Sequence, residues 1–370
     1  MKIGILTGGG DCPGLNAVVR GVTKSALRRG WEVIGFRDGY RGLVEKDFLN
    51  LHDHDVSGIL IRGGTMLGTS NTANPFAYTL EPLGSCEKPR DLSKLAFRTF
   101  KELGLDALVA VGGDGTLTMA QQLYKKGMPV IGVPKTIDND LSATDVTFGF
   151  DSALHVATQA VDRVHTTAES HDRVMIVETM GRYAGWIALR AGIAGGGDII
   201  LLPEIPYRAK DIVTAVLDRK RRGKRFSIVV VAEGARQAKG KMTVTRVVKG
   251  SPDPLRLGGV SYKIAELLDN SNIGLESRVV VLGHVQRGGE PTAFDRWLAT
   301  GFGVKAAELI AKKRFGHMVS FRDFCFTSVK IAEAVGKLRR VSPSAQELKT
   351  ALALGTSFGN SSVTGRVDVR

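Results

Sequence analysis

The sequence predicts an α/β fold built on parallel sheets with helices on both faces. Short β-branched runs alternate with longer amphipathic ones along most of the chain, which is the pattern of strand, crossover helix and next parallel strand. Polar turns rich in Gly or Asp follow three of the apolar runs, where such sheets bind their ligands. With 370 residues the chain can form two domains or one large sheet.

In order, Ile3–Thr7 reads as a strand, Gly14–Arg29 as a helix and Glu32–Phe36 as a strand. Gly68–Asp91, rich in Thr, Asn, Pro and Gly, reads as a loop insertion. Further strands are expected at Ala107–Val111, Pro129–Val133, Val174–Glu178, Ile199–Leu202, Ile228–Ala232 and Arg278–Leu282. Helical patterns include Ala153–Thr166 and Thr292–Lys312. From about Leu352 the tail lacks periodicity and is expected to be poorly ordered.

Lys and Arg outnumber Asp and Glu by 51 to 37, a net charge of +14. The basic residues are dispersed, with no zinc-finger, RNA-recognition or aromatic-interleaved signature, so phosphorylated small molecules suit them better than nucleic acid. The densest run, Arg219 to Arg225, reads as a solvated helix end. Cys12, Cys86 and Cys325 are odd in number and far apart, which fits neither a disulfide framework nor a Cys-x-x-Cys metal pair. No apolar stretch approaches the ~20 residues of a membrane helix. A cytoplasmic protein without membrane or nucleic-acid partners is the expectation.

Four motifs carry chemistry. G-G-G-D-C-P-G at 8–14 lets backbone approach a ligand before a helix start, although such turns are also common punctuation. G-G-D-G-T at 112–116 offers amide donors for phosphate and, in Asp114, a hard oxygen ligand for Mg²⁺; a capped turn is the plainer reading. P-K-T-I-D-N-D at 134–140 pairs Asp138 with Asp140, able to divide base work from metal-side electrostatics, or simply to form a solvated turn. Arg173, Arg182, Arg278, His284 and Arg287 flank expected strands and form a cationic set.

Together with M-G-R-Y-A-G-W (180–186), V-A-E-G (231–234) and G-H-V-Q-R-G-G (283–289), these blocks resemble the phosphofructokinase family in order and spacing, from Met1 to about Arg340. The resemblance implies two Rossmann-like parallel-sheet domains with the active site in the cleft between them. Residues 1–148 with roughly 288–340 would bind the donor and 149–287 the sugar phosphate. Residues 341–370 form a C-terminal extension of unknown role.

It also implies ATP-dependent 6-phosphofructokinase activity, the glycolytic transfer to the 1-hydroxyl of fructose 6-phosphate. Asp138 would be the base, with Thr136 and Arg182 beside the transferring group. Gly10, Asn71, Thr72, Gly113, Asp114, Gly115 and Thr116 would hold the donor, and Asp114 and Asp140 would hold Mg²⁺. Thr136, Ile137, Asp138, Met180, Gly181, Arg182, Glu233, His284, Val285, Gln286 and Arg287 would contact the sugar phosphate. Arg173 and Arg278 would reach it from a neighbouring subunit of a dimer or tetramer.

Donor choice pulls two ways. Gly115 leaves room for a nucleotide α-phosphate where pyrophosphate users resemble one another in carrying Asp, whereas Lys135 is typical of pyrophosphate users. Sterics at 115 act directly on the donor, so ATP is favoured, with a pyrophosphate-dependent enzyme as the alternative. Asn71 stands where the family usually has a donor-phosphate arginine, which also admits a catalytically weakened regulatory paralogue. Arg20, Lys24, Asp198, Arg222 and Lys224 fit a family effector site, but Asp53 and His165 replace two of its cations.

Overall fold

The computed structural model describes residues 1–79, 88–248 and 253–363. Cys86 and part of the expected insertion lie outside the described residues; Tyr78 and Arg90 on either side pair as an antiparallel bridge.

The first half of the chain builds β1 (Lys2–Thr7), α1 (Leu15–Leu27), β2 (Glu32–Phe36), α2 (Tyr40–Glu45) and β3 (Phe48–Asn50). It continues through α3 (Ser93–Glu102), β4 (Ala107–Gly112), α4 (Asp114–Lys125) and β5 (Val130–Pro134). The long α5 (Phe150–His171) then leads to β6 (Val174–Thr179), α6 (Trp186–Ala194), β7 (Ile199–Leu201), α7 (Ala209–Arg221) and β8 (Ser227–Ala232). An antiparallel hairpin follows, β9 (Val244–Val247) and β10 (Leu255–Leu257), then α8 (Val260–Asp269) and β11 (Ser277–Val281). A 3-10 turn at Gly283–Arg287 precedes α9 (Ala293–Ala311), β12 (His317–Arg322), β13 (Cys325–Lys330), α10 (Ile331–Ala334) and α11 (Gln346–Ala353).

Two sheets organise these elements. One has seven strands in the order β13-β12-β5-β4-β1-β2-β3, parallel except for its antiparallel edges β13 and β3. The other has four parallel strands in the order β11-β6-β8-β7. β1, β4, β5, β6 and β8 are buried at every position except the first residue of β1, as continuous apolar runs covered on both faces should be. One apolar core runs from the first sheet through α1, α5 and α9 to the second sheet, and each sheet has a further core on its other face.

Chain order reverses at β1, which has β2 on one side and β4 on the other. This switch point leaves a crevice at the carboxyl ends of β1 and β4, where the two glycine motifs fall. Behind it, α1 and α9 cross at backbone contact distance: a Cβ on Gly21 would stand 2.8 Å from the Thr300 carbonyl oxygen, and one on Gly303 2.7 Å from that of Val18.

The C-terminal expectation needs correction for the described residues up to 363, and residues 364–370 lie outside them. After α11 the chain lies against the second sheet: Ser357 bridges Ile199 in parallel, Ile200 N–H donates to the Ser357 carbonyl at 2.8 Å, and Phe358 is 1% exposed. A segment without periodicity can still be ordered when edge hydrogen bonds and one buried ring hold it. The basic run ends α7 as expected, with residues 220–225 exposed. Arg219 pairs with Asp198 at 2.6 Å and Lys220 donates to the Ile273 carbonyl, while Arg221 and Arg225 pair at the surface with Asp218 and Asp172. At the resembled effector site, Lys24 is bound by Asp53 at 2.5 Å.

Candidate active site

Loops from both sheets converge on the crevice. After β1, Gly8 N–H is bound by the Val111 carbonyl and Gly9 N–H by that of Ser70, which draws the 70–73 turn alongside the glycine loop. The Ser70 hydroxyl accepts from the amides of Thr72 and Ala73, leaving Asn71 exposed on that turn. Thr116 packs against this loop, since a Cβ on Gly8 would lie 2.8 Å from its hydroxyl oxygen.

α4 begins at Asp114 with Gly113 as its N-cap, so the first-turn N–H groups of Asp114, Gly115 and Thr116 face outward along the helix axis. A side chain built on Gly115 would meet nothing within 4 Å. One Asp114 oxygen accepts from Gly336 N–H at 2.8 Å, which ties α4 to the chain after α10.

The turn after β5 is tightly held. The Thr136 hydroxyl donates to Asp140 Oδ1 at 3.1 Å and accepts from Asp138 N–H at 3.1 Å. The Thr147 hydroxyl donates to the Thr136 carbonyl, and Asn139, at φ 51°, accepts from Thr147 N–H. This cross-bracing presents the Asp138 carboxylate with only 6% exposure and leaves its Oδ1 buried without a hydrogen-bond partner. Burial, and after it the charges of Asp138 and Asp114, pushes the Asp140 carboxyl well above the ordinary carboxylate range. Lys135 is buried on the other side, its ammonium donating to the Gly10 carbonyl, and burial lowers its pKa.

The second sheet supplies the facing wall. Met180 N–H donates to the buried Gln286 side chain at 2.8 Å, joining the loop after β6 to the turn after β11. Arg182 N–H donates to Glu233 at 3.0 Å, and burial together with the nearby Asp138 raises the Glu233 carboxyl to about 7. Arg287 NH1 donates to the Asp11 carbonyl at 3.0 Å and stands against Gly10, so the two walls touch here.

The structure therefore brings together Gly10, Gly113, Asp114, Gly115, Thr116, Lys135, Thr136, Asp138, Asp140, Met180, Gly181, Arg182, Glu233, Gln286 and Arg287, with Asn71 and Thr72 alongside. Ile137 is buried in the core, so it offers the crevice backbone only. His284 and Val285 are exposed on the 3-10 turn. Arg173 and Arg278 are not at this crevice: they stand at the starts of β6 and β11, about 17–20 Å along the strands from the loops that line it. Two residues escaped sequence reading, Gly336 and Asp253, which binds the Arg182 guanidinium at 2.6 Å. Neither lies in a motif, and nothing in their neighbourhoods marks them.

An open helix N-terminus, paired acids and cations on two facing walls suit the handling of phosphate groups. A sequence model described as Phosphofructokinase matches residues 2–310. The chain is 52% identical over 360 residues to ATP-dependent 6-phosphofructokinase 2 of Clostridium perfringens, covering 97% of this chain and 98% of that one. It is 49% identical over 348 residues to the pyrophosphate--fructose 6-phosphate 1-phosphotransferase of Amycolatopsis methanolica, covering 94% and 98%. The T-state crystal structure of Pichia pastoris phosphofructokinase superposes with a TM-score of 0.78 at 32% identity; the match covers 96% of this chain and 36% of the yeast chain. The chain belongs to the phosphofructokinase family.

Proposed function

We propose that the chain is an ATP-dependent 6-phosphofructokinase, with Asp138 taking the proton from the 1-hydroxyl of fructose 6-phosphate. The observation that carries this is the unpartnered, buried Asp138 oxygen at the junction of both walls. An unmade hydrogen bond there is costly unless a ligand hydroxyl supplies it. Arg182 and Thr136 flank the transferring group, the α4 N-terminus receives donor phosphates, and Glu233, Met180, Gln286 and Arg287 hold the sugar phosphate.

Among the described residues no three His, Cys, Asp or Glu side chains form a metal cage. Mg²⁺ does not require one, because it is commonly held by one or two carboxylates plus substrate phosphates and waters. Asp114 and Asp140 fit that role: burial, and after it the charges of Asp138 and Asp114, raises the Asp140 carboxyl, and a cation there would offset both. When bound, Mg²⁺ neutralises charge on the phosphate oxygens.

The open space at Gly115 supports ATP, as do the names of relatives such as the C. perfringens enzyme. Lys135 and the A. methanolica relative favour a second reading, pyrophosphate dependence. Initial rates with fructose 6-phosphate, Mg²⁺ and each donor in turn decide between them. Turnover with ATP is expected; turnover with pyrophosphate alone would overturn it.

Arg173 and Arg278 cannot serve this chain's own crevice from the far ends of their strands, which supports their completing a neighbour's site in a dimer or tetramer. The proposed division is a donor domain of 1–148 plus roughly 288–340 and a sugar-phosphate domain of 149–287. A cytoplasmic, glycolytic role follows from the same reading.

A further inference from the structure

Arg182 is built so that only its side chain can move. Its backbone sits in the left-handed region at φ 48°, its N–H is held by Glu233, and Gly234 packs so closely that a Cβ there would lie 1.9 Å from the Arg182 carbonyl oxygen. One nitrogen of the guanidinium is already engaged. NH1 donates to Asp253 Oδ2 at 2.6 Å, and the Tyr183 hydroxyl donates to Asp253 Oδ1 at 3.2 Å. At 36% and 24% side-chain exposure the pair is screened less than a surface pair.

Asp253 is itself fixed. Its Oδ1 accepts from Leu255 N–H at 3.2 Å and its carbonyl from Arg256 NH1 at 2.7 Å, at the head of β10. The root of the β9–β10 hairpin is anchored in turn: the buried Glu178 of β6 accepts from Gly259 N–H at 2.8 Å and from Ser261 N–H at 2.9 Å. The carboxyl end of β6 thus both anchors the hairpin through Glu178 and leads into the turn that carries Arg182.

We propose that Asp253 is a built-in competitor for Arg182, occupying in the ligand-free enzyme the guanidinium nitrogen, Nη1, that a substrate phosphoryl group takes over. This rests on the reading of Arg182 as a phosphoryl-group ligand. A phosphoryl group carries more negative charge and more acceptor oxygens than one carboxylate, so it displaces Asp253 at a cost in apparent affinity. The hairpin acid therefore sets the substrate concentration at which Arg182 becomes available.

The test compares the full-length enzyme with Asp253→Asn, Arg182→Ala and the double variant. Asn keeps acceptors for Tyr183 and Leu255 but loses the charge. Asp253→Asn is expected to lower KM for a substrate about three- to tenfold without lowering kcat, and to have no effect in the Arg182→Ala background. Tyr183→Phe, which loosens Asp253 without touching Arg182, is expected to act in the same direction by a smaller factor, and it carries the test if Asp253→Asn does not fold. Calorimetric binding of pyrophosphate gives a readout independent of turnover, with tighter binding expected in Asp253→Asn. An unchanged or raised KM together with unchanged pyrophosphate affinity overturns the proposal. An inactive wild type overturns the functional reading instead, and pyrophosphate binding still decides the role of Asp253.

Discussion

Asp138 and Asp140 stand two residues apart, yet their surroundings give them different work. Asp140 has a hydroxyl donor and a raised pKa, while one Asp138 oxygen is buried without a hydrogen-bond partner. Asp138→Asn should lower kcat by about 10²–10⁴-fold with little change in KM, as removal of a general base does; steady-state kinetics show it. Lys135, buried beside Gly10, shares the glycine loop with the 70–73 turn that carries Asn71, since Gly9 N–H is bound by the Ser70 carbonyl. Loss of the arginine that the family usually has at position 71, without replacement, costs on the order of 2–4 kcal/mol. Asn71→Arg should therefore leave kcat within about threefold if Lys135 compensates, whereas a gain of tenfold or more would show that it does not. Glu233 gives a pH signature. Its folded pKa of about 7 lies above its ordinary value, so its contribution to stability is full below the ordinary value and is lost as pH rises through 7. Between pH 5 and 8 this group should remove on the order of 3 kcal/mol from the ligand-free protein. Urea unfolding across that range should be flatter for Glu233→Gln, and parallel curves would count against the assignment.

At the scale of elements, the buried parallel strands are the most legible part of the chain. The readings at Ile3–Thr7, Val174–Glu178 and Ile228–Ala232 each fall within one residue of the observed strands, because strands covered on both faces must be apolar throughout. α5 runs from Phe150 to His171, beyond the expected Ala153–Thr166, since its polar end turns carry no period. The β9–β10 and β12–β13 hairpins gave no usable signal, the first being exposed at every position of β9. The tail failed for a different reason. Its order comes from β7 and from a pocket for Phe358, neither of which lies in its own sequence. Phe358→Ala should cost about 3–5 kcal/mol, measured by chemical denaturation, and a cost under 1 kcal/mol would mean the tail packs passively.

Across the whole molecule, the two ends of the second sheet carry different residues. The loops that line the crevice leave the carboxyl ends of β6, β8 and β11, while Arg173 and Arg278 stand at the other end, both bound by Glu276. If those arginines complete a neighbour's site, two inactive variants should rescue each other. Asp138→Asn mixed with an Arg173→Ala/Arg278→Ala variant, dissociated and reassembled, should recover activity that neither shows alone, because a mixed pair contains one intact site. No recovery despite demonstrated subunit exchange would place each site within a single chain.

By itself the sequence determined the α/β class, the buried strands and the loops that gather at their carboxyl ends. Those features depend on local composition: apolar runs must be buried, and polar glycine- or acid-rich turns fall at the strand ends between them. It also pointed to Asp138 and G-G-D-G-T as candidate site residues. Only the tertiary structure decided which groups those motifs face. It set Lys135 on Gly10, Arg287 on Asp11, Gly336 on Asp114 and Asp253 on Arg182. Each of these contacts joins positions far apart in the chain, and burial and pairing there depend on how the sheets and loops pack and not on any local pattern.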